Sequence, residues 1–183
     1  MRALVGAAFR EQDVLEISCG TAYWTEAFAS SVRSVVACDI NSEVLDIARA
    51  KKWGPARVEF IQADSYALPD FARRFSGAFS GFWWSHIPKR RISDFLSALR
   101  KKIERDARVM FIDNRYVEGS NTPIYRTDGG DTYQLRRLED GSTHEVLKNF
   151  PSEEELLFAA ADVGVEAEVT ILDYFWILTY KSK

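Results

Sequence analysis

Three carboxylates recur along the first third of the chain at nearly equal intervals. They are Glu16, Asp39 and Asp64, 23 and 25 residues apart. Glu16 lies inside the apolar run Val14-Leu15-Glu16-Ile17, Asp39 directly follows Val35-Val36-Ala37-Cys38, and Asp64 follows the run from Arg57 to Ala63. Each interval is about one strand-helix unit. Open α/β sheets bind ligands beyond the carboxyl ends of their strands. An acid after a second strand, about 20 residues beyond a small-residue loop, is placed to accept from the two hydroxyls of a ribose. Asp64 or its neighbour Ser65 is placed to accept from an exocyclic adenine amine. Glu16, inside the first strand, would meet an ammonium group, directly or through water.

The elements that position these acids follow from the hydrophobic pattern. Short β-branched runs alternate with amphipathic stretches, which argues for a parallel sheet with helices on both faces. Trp24, Ala27, Phe28 and Val32 follow the first strand at helical spacing. A second helix carries Val44, Ile47 and Ala48 on one face and stops at Gly54-Pro55. Ala78 to Trp83 reads as the fourth strand, Ile92, Leu96, Leu99 and Ile103 as one face of the next helix, and Val109 to Ile112 as the fifth strand. The pattern changes after Tyr116. Residues Gly119 to Asp131 are polar and turn-rich. Tyr133 to Leu138 and Thr143 to Leu147 then flank Glu139-Asp140-Gly141-Ser142, and Asp-Gly between strand-like runs predicts a hairpin. Ser152 with Glu155 forms a capping box that opens a helix closed by Gly164. Two strands end the chain, Val165 to Leu172 and Tyr174 to Tyr180. The reading is one domain over residues 1–183 with a hairpin insert at about 119–149.

Composition narrows the function. The 183 residues are 46% hydrophobic and 28% charged, which suits one ordinary globular domain. The net charge of −3 offers no general attraction to nucleic acid or to an anionic membrane. The two cysteines, Cys19 and Cys38, make no disulfide framework, and with two histidines no zinc site is expected. Ala3 to Phe9 is apolar but short, leads into Arg10, Glu11 and Asp13, and lacks a small-residue cleavage site. The chain reads as cytoplasmic.

Taken together, a ribose acceptor, an adenine acceptor and an ammonium partner describe S-adenosyl-L-methionine (SAM). The sequence resembles the class I SAM-dependent methyltransferases from Val14 to Tyr180. The resemblance rests on Glu16-Ile17-Ser18-Cys19-Gly20-Thr21-Ala22, on Asp39, on Asp64-Ser65, and on the stretches Phe82 to Pro88 and Ile112 to Gly119, which look like a bacterial subgroup. It implies a Rossmann-like fold with a mostly parallel seven-stranded sheet. It implies SAM as cofactor and S-adenosyl-L-homocysteine (SAH) as product, held by Glu16, Ser18, Cys19, Gly20, Ala22, Asp39, Ile40, Asp64, Ser65 and Phe82. The implied acceptor side is Tyr23, Trp84, His86, Arg115, Tyr116 and Tyr133, with His86 as the candidate catalytic base and no metal. Two departures stand out. The family's loop carries glycine where this chain has Ser18 and Ala22. Relatives also have helices ahead of the first strand, whereas few residues precede Val14 here.

His86 follows the fourth strand, where an imidazole titrating near neutrality could take a proton from a hydroxyl or amine. The expected reaction is methyl transfer to an oxygen or nitrogen of a small molecule, with neither nucleic acid nor membrane as partner and a homodimer as the assembly. Two other functions compete with this one. An NAD-dependent oxidoreductase would want G-x-G-x-x-G after the first strand, and Ser18 to Tyr23 lacks two of those glycines. A non-catalytic SAM- or SAH-binding protein, or partner subunit, would tolerate the eroded loop.

Overall fold

The computed structural model describes residues 1–183. Its centre is a seven-stranded sheet in the order β3-β2-β1-β4-β5-β10-β9. The strands are β1 (Asp13–Ile17), β2 (Ser34–Asp39), β3 (Val58–Gln62), β4 (Phe75–Gly81), β5 (Ile103–Asn114), β9 (Gly164–Ile171) and β10 (Phe175–Ser182). From β3 to β5 all neighbours are parallel. Strand β10 alone runs against both of its neighbours, β5 and β9. The strand order reverses at β1, so the carboxyl ends of β1 and β4 flank the switch point where an α/β sheet opens a crevice.

Both faces of the sheet are packed. One holds Leu15, Ile17, Val36, Phe75, Phe95, Phe111 and Trp176. The other holds Val5, Phe9, Val14, Phe28, Leu45, Phe79 and Ile177. Strand runs such as Val35 to Cys38 are buried throughout because helices cover both sides. The helices are α1 (Arg2–Ala8), α2 (Thr25–Phe28), α3 (Ser42–Arg49), α4 (Ile92–Arg100) and α5 (Glu153–Ala161). Asn41 caps α3 by accepting from the Glu43 N–H at 3.0 Å, and the predicted Ser152/Glu155 capping box opens α5.

Several elements differ from the pattern-based expectation. The apolar start of the chain is a helix, α1, whose Val5 and the following Phe9 are fully buried; Phe9 packs on Phe28 and Phe79. Helix α2 has only four residues, although Trp24 and Phe28 are buried as their spacing implied. In α3 the buried stripe is Leu45 and Ala48, and Ile47 faces solvent. Strand β5 begins at Ile103, where Glu104, Arg105 and Asp106 hide it from any apolar pattern. Ile103 therefore packs from the strand and not from the preceding helix.

The insert is a three-stranded antiparallel sheet of β6 (Ile124–Asp128), β7 (Asp131–Arg137) and β8 (Thr143–Leu147), one strand more than the expected hairpin. Gly129 and Gly130 both take positive φ between the paired residues Asp128 and Asp131, which is what a two-residue hairpin turn demands. The expected Asp140-Gly141 turn joins β7 to β8, with Asp140 Oδ1 accepting from the Ser142 N–H at 2.9 Å. No helix is long and apolar enough to cross a membrane.

Candidate active site

The loop after β1 carries three residues in the left-handed region: Ser18 at φ 53°, Gly20 at 55° and Ala22 at 63°. Such a conformation is unstrained only for glycine and costs other residues about 1–2 kcal/mol. Phe82, at the end of β4, is also left-handed at φ 61°. Three of the six left-handed non-glycine residues thus lie at the carboxyl ends of the two strands that flank the switch point, and Glu11, Asp106 and Glu166 lie elsewhere. A Cβ built on Gly20 meets nothing within 4 Å, so the space above the loop is open.

Asp39 holds this loop. Its Oδ2 accepts from the Gly20 N–H at 2.9 Å and its Oδ1 from the Asn41 N–H at 3.0 Å. A carboxylate offers about four lone-pair sites, so one on each oxygen remains for a ribose diol. Ile40, beside it, is 63% exposed, an apolar side chain lying uncovered where a flat base would rest. Asp64 is exposed, and its Oδ1 accepts from the Tyr66 N–H at 2.9 Å. Ser65 is buried, its hydroxyl 3.1 Å from that of Ser18, which ties the β3 and β1 loops together.

Glu16 is 1% exposed, and its Oε2 accepts from the Thr25 hydroxyl at 2.5 Å. Burial pushes its carboxyl up to about 8, against the opposing pull of that hydrogen bond. Cys19 and Cys38 are free and buried. Burial raises both thiols, Cys38 to about 12, so they pack as protonated side chains. Trp24 lies against the Gly81 backbone: a Cβ there would stand 2.4 Å from the indole. Trp24 also packs on Phe82, which in turn meets Phe175.

The acceptor side is less uniform. Tyr23 is 52% exposed beneath the Arg2 guanidinium, and Tyr116 is partly exposed against Phe150. Three of the expected residues have packing or hydrogen-bond partners within the fold. Trp84 is not at the surface of the crevice: it is 2% exposed and packs edge-on to Phe111 and Trp176, because the chain turns into the core directly after β4. Arg115 donates from Nη1 to the Leu172 carbonyl at 2.8 Å and so braces the turn between β9 and β10. Tyr133 lies under the Arg126 guanidinium within the insert.

His86 ends a 3₁₀ turn (Trp84–His86) after β4 and is half-buried. Its pKa is lowered by burial and by the charges of Lys148 and Arg136, while Asp113 and the Leu147 backbone oppose that shift. Burial and positive neighbours both favour neutral imidazole, the form able to accept a proton. His144 is exposed on β8 of the insert, 2.9 Å from the Ser142 hydroxyl. The basic run beside His86 has structural partners: Lys89 pairs with Glu155 at 2.7 Å, and Arg91 stacks on Tyr66.

Sequence reasoning missed the residues that dock the insert. Lys148, just after β8, is 4% exposed and donates to Ser85 Oγ at 2.6 Å and to Asp113 Oδ1 and Asn114 Oδ1, each at 3.1 Å. Asp113 Oδ2 accepts from the Ser85 N–H at 2.9 Å. Asn149 donates from Nδ2 to the Ile87 carbonyl and to Asp131 Oδ1. A lone lysine after a strand carries no pattern that announces such burial. No group of three or more His, Cys, Asp or Glu is arranged to hold a metal ion.

A family model described as a methyltransferase domain matches residues 14–106. The chain belongs to the class I SAM-dependent methyltransferase family. The DhpI–SAH complex superposes with a TM-score of 0.78 at 27% identity, covering 99% of this chain and 82% of that one. A DhpI–SAM–HEP complex matches equally well over 97% and 83%. Among curated proteins, a demethylmenaquinone methyltransferase of Clavibacter sepedonicus is 29% identical over 89 residues, which is 48% of this chain and 36% of that protein. The chain therefore matches only about a third of that relative's length. The family's cofactor is SAM, and the left-handed loop, the Asp39 carboxylate and the exposed Ile40 suit its amino-acid end, ribose and base.

Proposed function

We propose that this methyltransferase-family chain transfers a methyl group from SAM to an oxygen or nitrogen of a small molecule in the cytoplasm. The observation that carries the reading is the meeting of the left-handed Ser18–Ala22 loop with Asp39, which leaves open space and spare acceptors at the switch point. When bound, SAM supplies a methyl group on a sulfonium, so that the S–C bond breaks as a bond to the nucleophile forms. Asp39 and the loop orient the donor. Tyr23 and Tyr116 flank the acceptor side as partly exposed rings able to stack on a small substrate. His86 takes the proton released by the nucleophile. Alignment contributes most of the acceleration, and a positioned base adds roughly 10²–10⁴-fold.

The relatives support a small acceptor: one is named for demethylmenaquinone, and another was solved with HEP. The proposed assembly is a homodimer, and neither nucleic acid nor membrane is a proposed partner. The test pairs SAH calorimetry with detection of SAH produced from SAM across a panel of small alcohols, acids, phenols and amines. Turnover on any of them supports the reading. Tight SAH binding with no turnover would favour a non-catalytic SAM-binding protein instead.

A further inference from the structure

Five cations ring a hollow at the edge of the sheet opposite the cofactor loops. Arg74 precedes β4, Arg100 and Lys101 end α4, Arg105 lies near the start of β5, and Lys183 follows β10. With Ser97 and Ile103 they line an open hollow of about 430 Å³. No acidic side chain lines it, and the Lys183 ammonium donates to the Ala161 carbonyl. None of the five cations belongs to an ion pair. Their immediate neighbours in sequence do: Arg73 pairs with Asp13 at 2.9 Å and Lys102 with Asp70 at 2.7 Å. Acids are thus within reach of this edge, yet the hollow excludes them.

The topology creates the convergence. Helix α4 returns from the carboxyl ends to the start of β5, so its last turn lies at the amino edge. Strand β10 runs antiparallel to β5, with Lys181 opposite Arg108, and brings Lys183 to the same edge. From Arg108, where β5 resumes regular pairing past the irregularity at Asp106, to Asn114 is six residues of strand, about 20 Å at the usual rise, so the hollow is remote from His86 and Asp39.

Like charges around one concavity repel one another, and an anion placed among them relieves that repulsion. The chain carries a net charge of −3, so this excess is local and not a consequence of composition. Three of the five are arginines, whose planar forks match the oxygens of phosphate, and the Ser97 hydroxyl adds a neutral donor. We propose that the hollow binds a linked chain of two or three phosphoryl groups, free or carried by a nucleoside. The site is separate from the methyl-transfer crevice and does not depend on the reaction proposed there.

The test is calorimetry of the full chain with inorganic tripolyphosphate, with ATP and citrate as comparisons. Saturable tripolyphosphate binding is expected, weakened about tenfold or more in the Arg100→Gln/Arg105→Gln variant. The Arg10→Gln/Arg137→Gln variant, which removes the same charge elsewhere, should bind as the native chain does. ATP binding more tightly than tripolyphosphate would identify a nucleotide as the source. Equal affinity would identify the phosphate chain alone. Absence of binding, equal affinity for citrate, equal weakening in the control variant, or displacement by SAH would each overturn the assignment.

Discussion

Lys148 Nζ stands 3.1 Å from Asp113 Oδ1, with the two side chains 5% and 0% exposed. This pair joins the end of the inserted sheet to the end of β5, and Ser85 shares both partners. The insert is therefore docked onto the 3₁₀ turn that carries His86. Removing one member leaves an uncompensated buried charge, which costs about 3–5 kcal/mol. Lys148→Met and Asp113→Leu should each lower stability on that scale in urea denaturation. The Lys148→Met/Asp113→Leu double variant should recover much of the loss. Additive losses in the double variant would show that the two residues act independently.

The same lysine bears on His86. Its charge and the burial of the ring both favour the neutral imidazole, and only Asp113 and the Leu147 backbone resist. His86 should titrate below the ordinary histidine range, and Lys148→Met should move its pKa upward. The chain has two histidines, so a proton NMR titration resolves them, and His86→Gln assigns the resonance. An unmoved His86 titration in a folded Lys148→Met protein would sever this link. Once an acceptor is known, His86→Gln should lower kcat about 10²-fold or more and leave SAH affinity unchanged.

Glu16 makes stability depend on pH. Its carboxyl is raised from 4.5 to about 8, chiefly by burial. Between those values the folded chain keeps a proton that the unfolded chain has released. Its contribution is fully present below about pH 4.5, falls as the pH rises and is lost above about 8, with a slope of up to about 1.4 kcal/mol per pH unit. Glu16→Gln carries no such titration. Native chain and variant should therefore diverge in urea midpoint from pH 5 to pH 8, the variant gaining relative stability. Parallel profiles across that range would mean that Glu16 is ionised when folded.

Asp39→Ala should weaken SAH binding by about 1–3 kcal/mol, because it leaves ribose hydroxyls unpaired and frees the Gly20 N–H that fixes the loop. Gly20→Ala tests the loop itself. It places a side chain at φ 55°, for a cost of about 1 kcal/mol in stability, and sets a methyl in the open space above the loop. Calorimetry should show SAH affinity reduced in both variants. Unchanged affinity in folded Asp39→Ala would remove Asp39 from the cofactor site.

The strand-helix alternation and the three spaced acids were legible in the sequence, because both are local. Period and composition report which face of an element is buried, and one strand-helix unit per acid brings Glu16, Asp39 and Asp64 to one edge of a parallel sheet. The Ser152/Glu155 cap and the Asp140-Gly141 turn were legible for the same reason, since each closes within a few residues. Strand β6 was not, because Ile124 to Asp128 is polar and largely exposed, and only pairing with β7 makes it a strand. The burial of Trp84 was not legible, because an aromatic beside a crevice and an aromatic beneath it look alike in sequence. Lys148 and Asp113, 35 positions apart, meet only when the insert folds back over β5. The hollow of Arg74, Arg100, Lys101, Arg105 and Lys183 draws on four separate segments. Local chemistry determined the fold class and the edge of the sheet where the three acids gather. Which charges are buried, paired or left free was decided by contacts between distant segments, and those exist only once the chain has closed on itself.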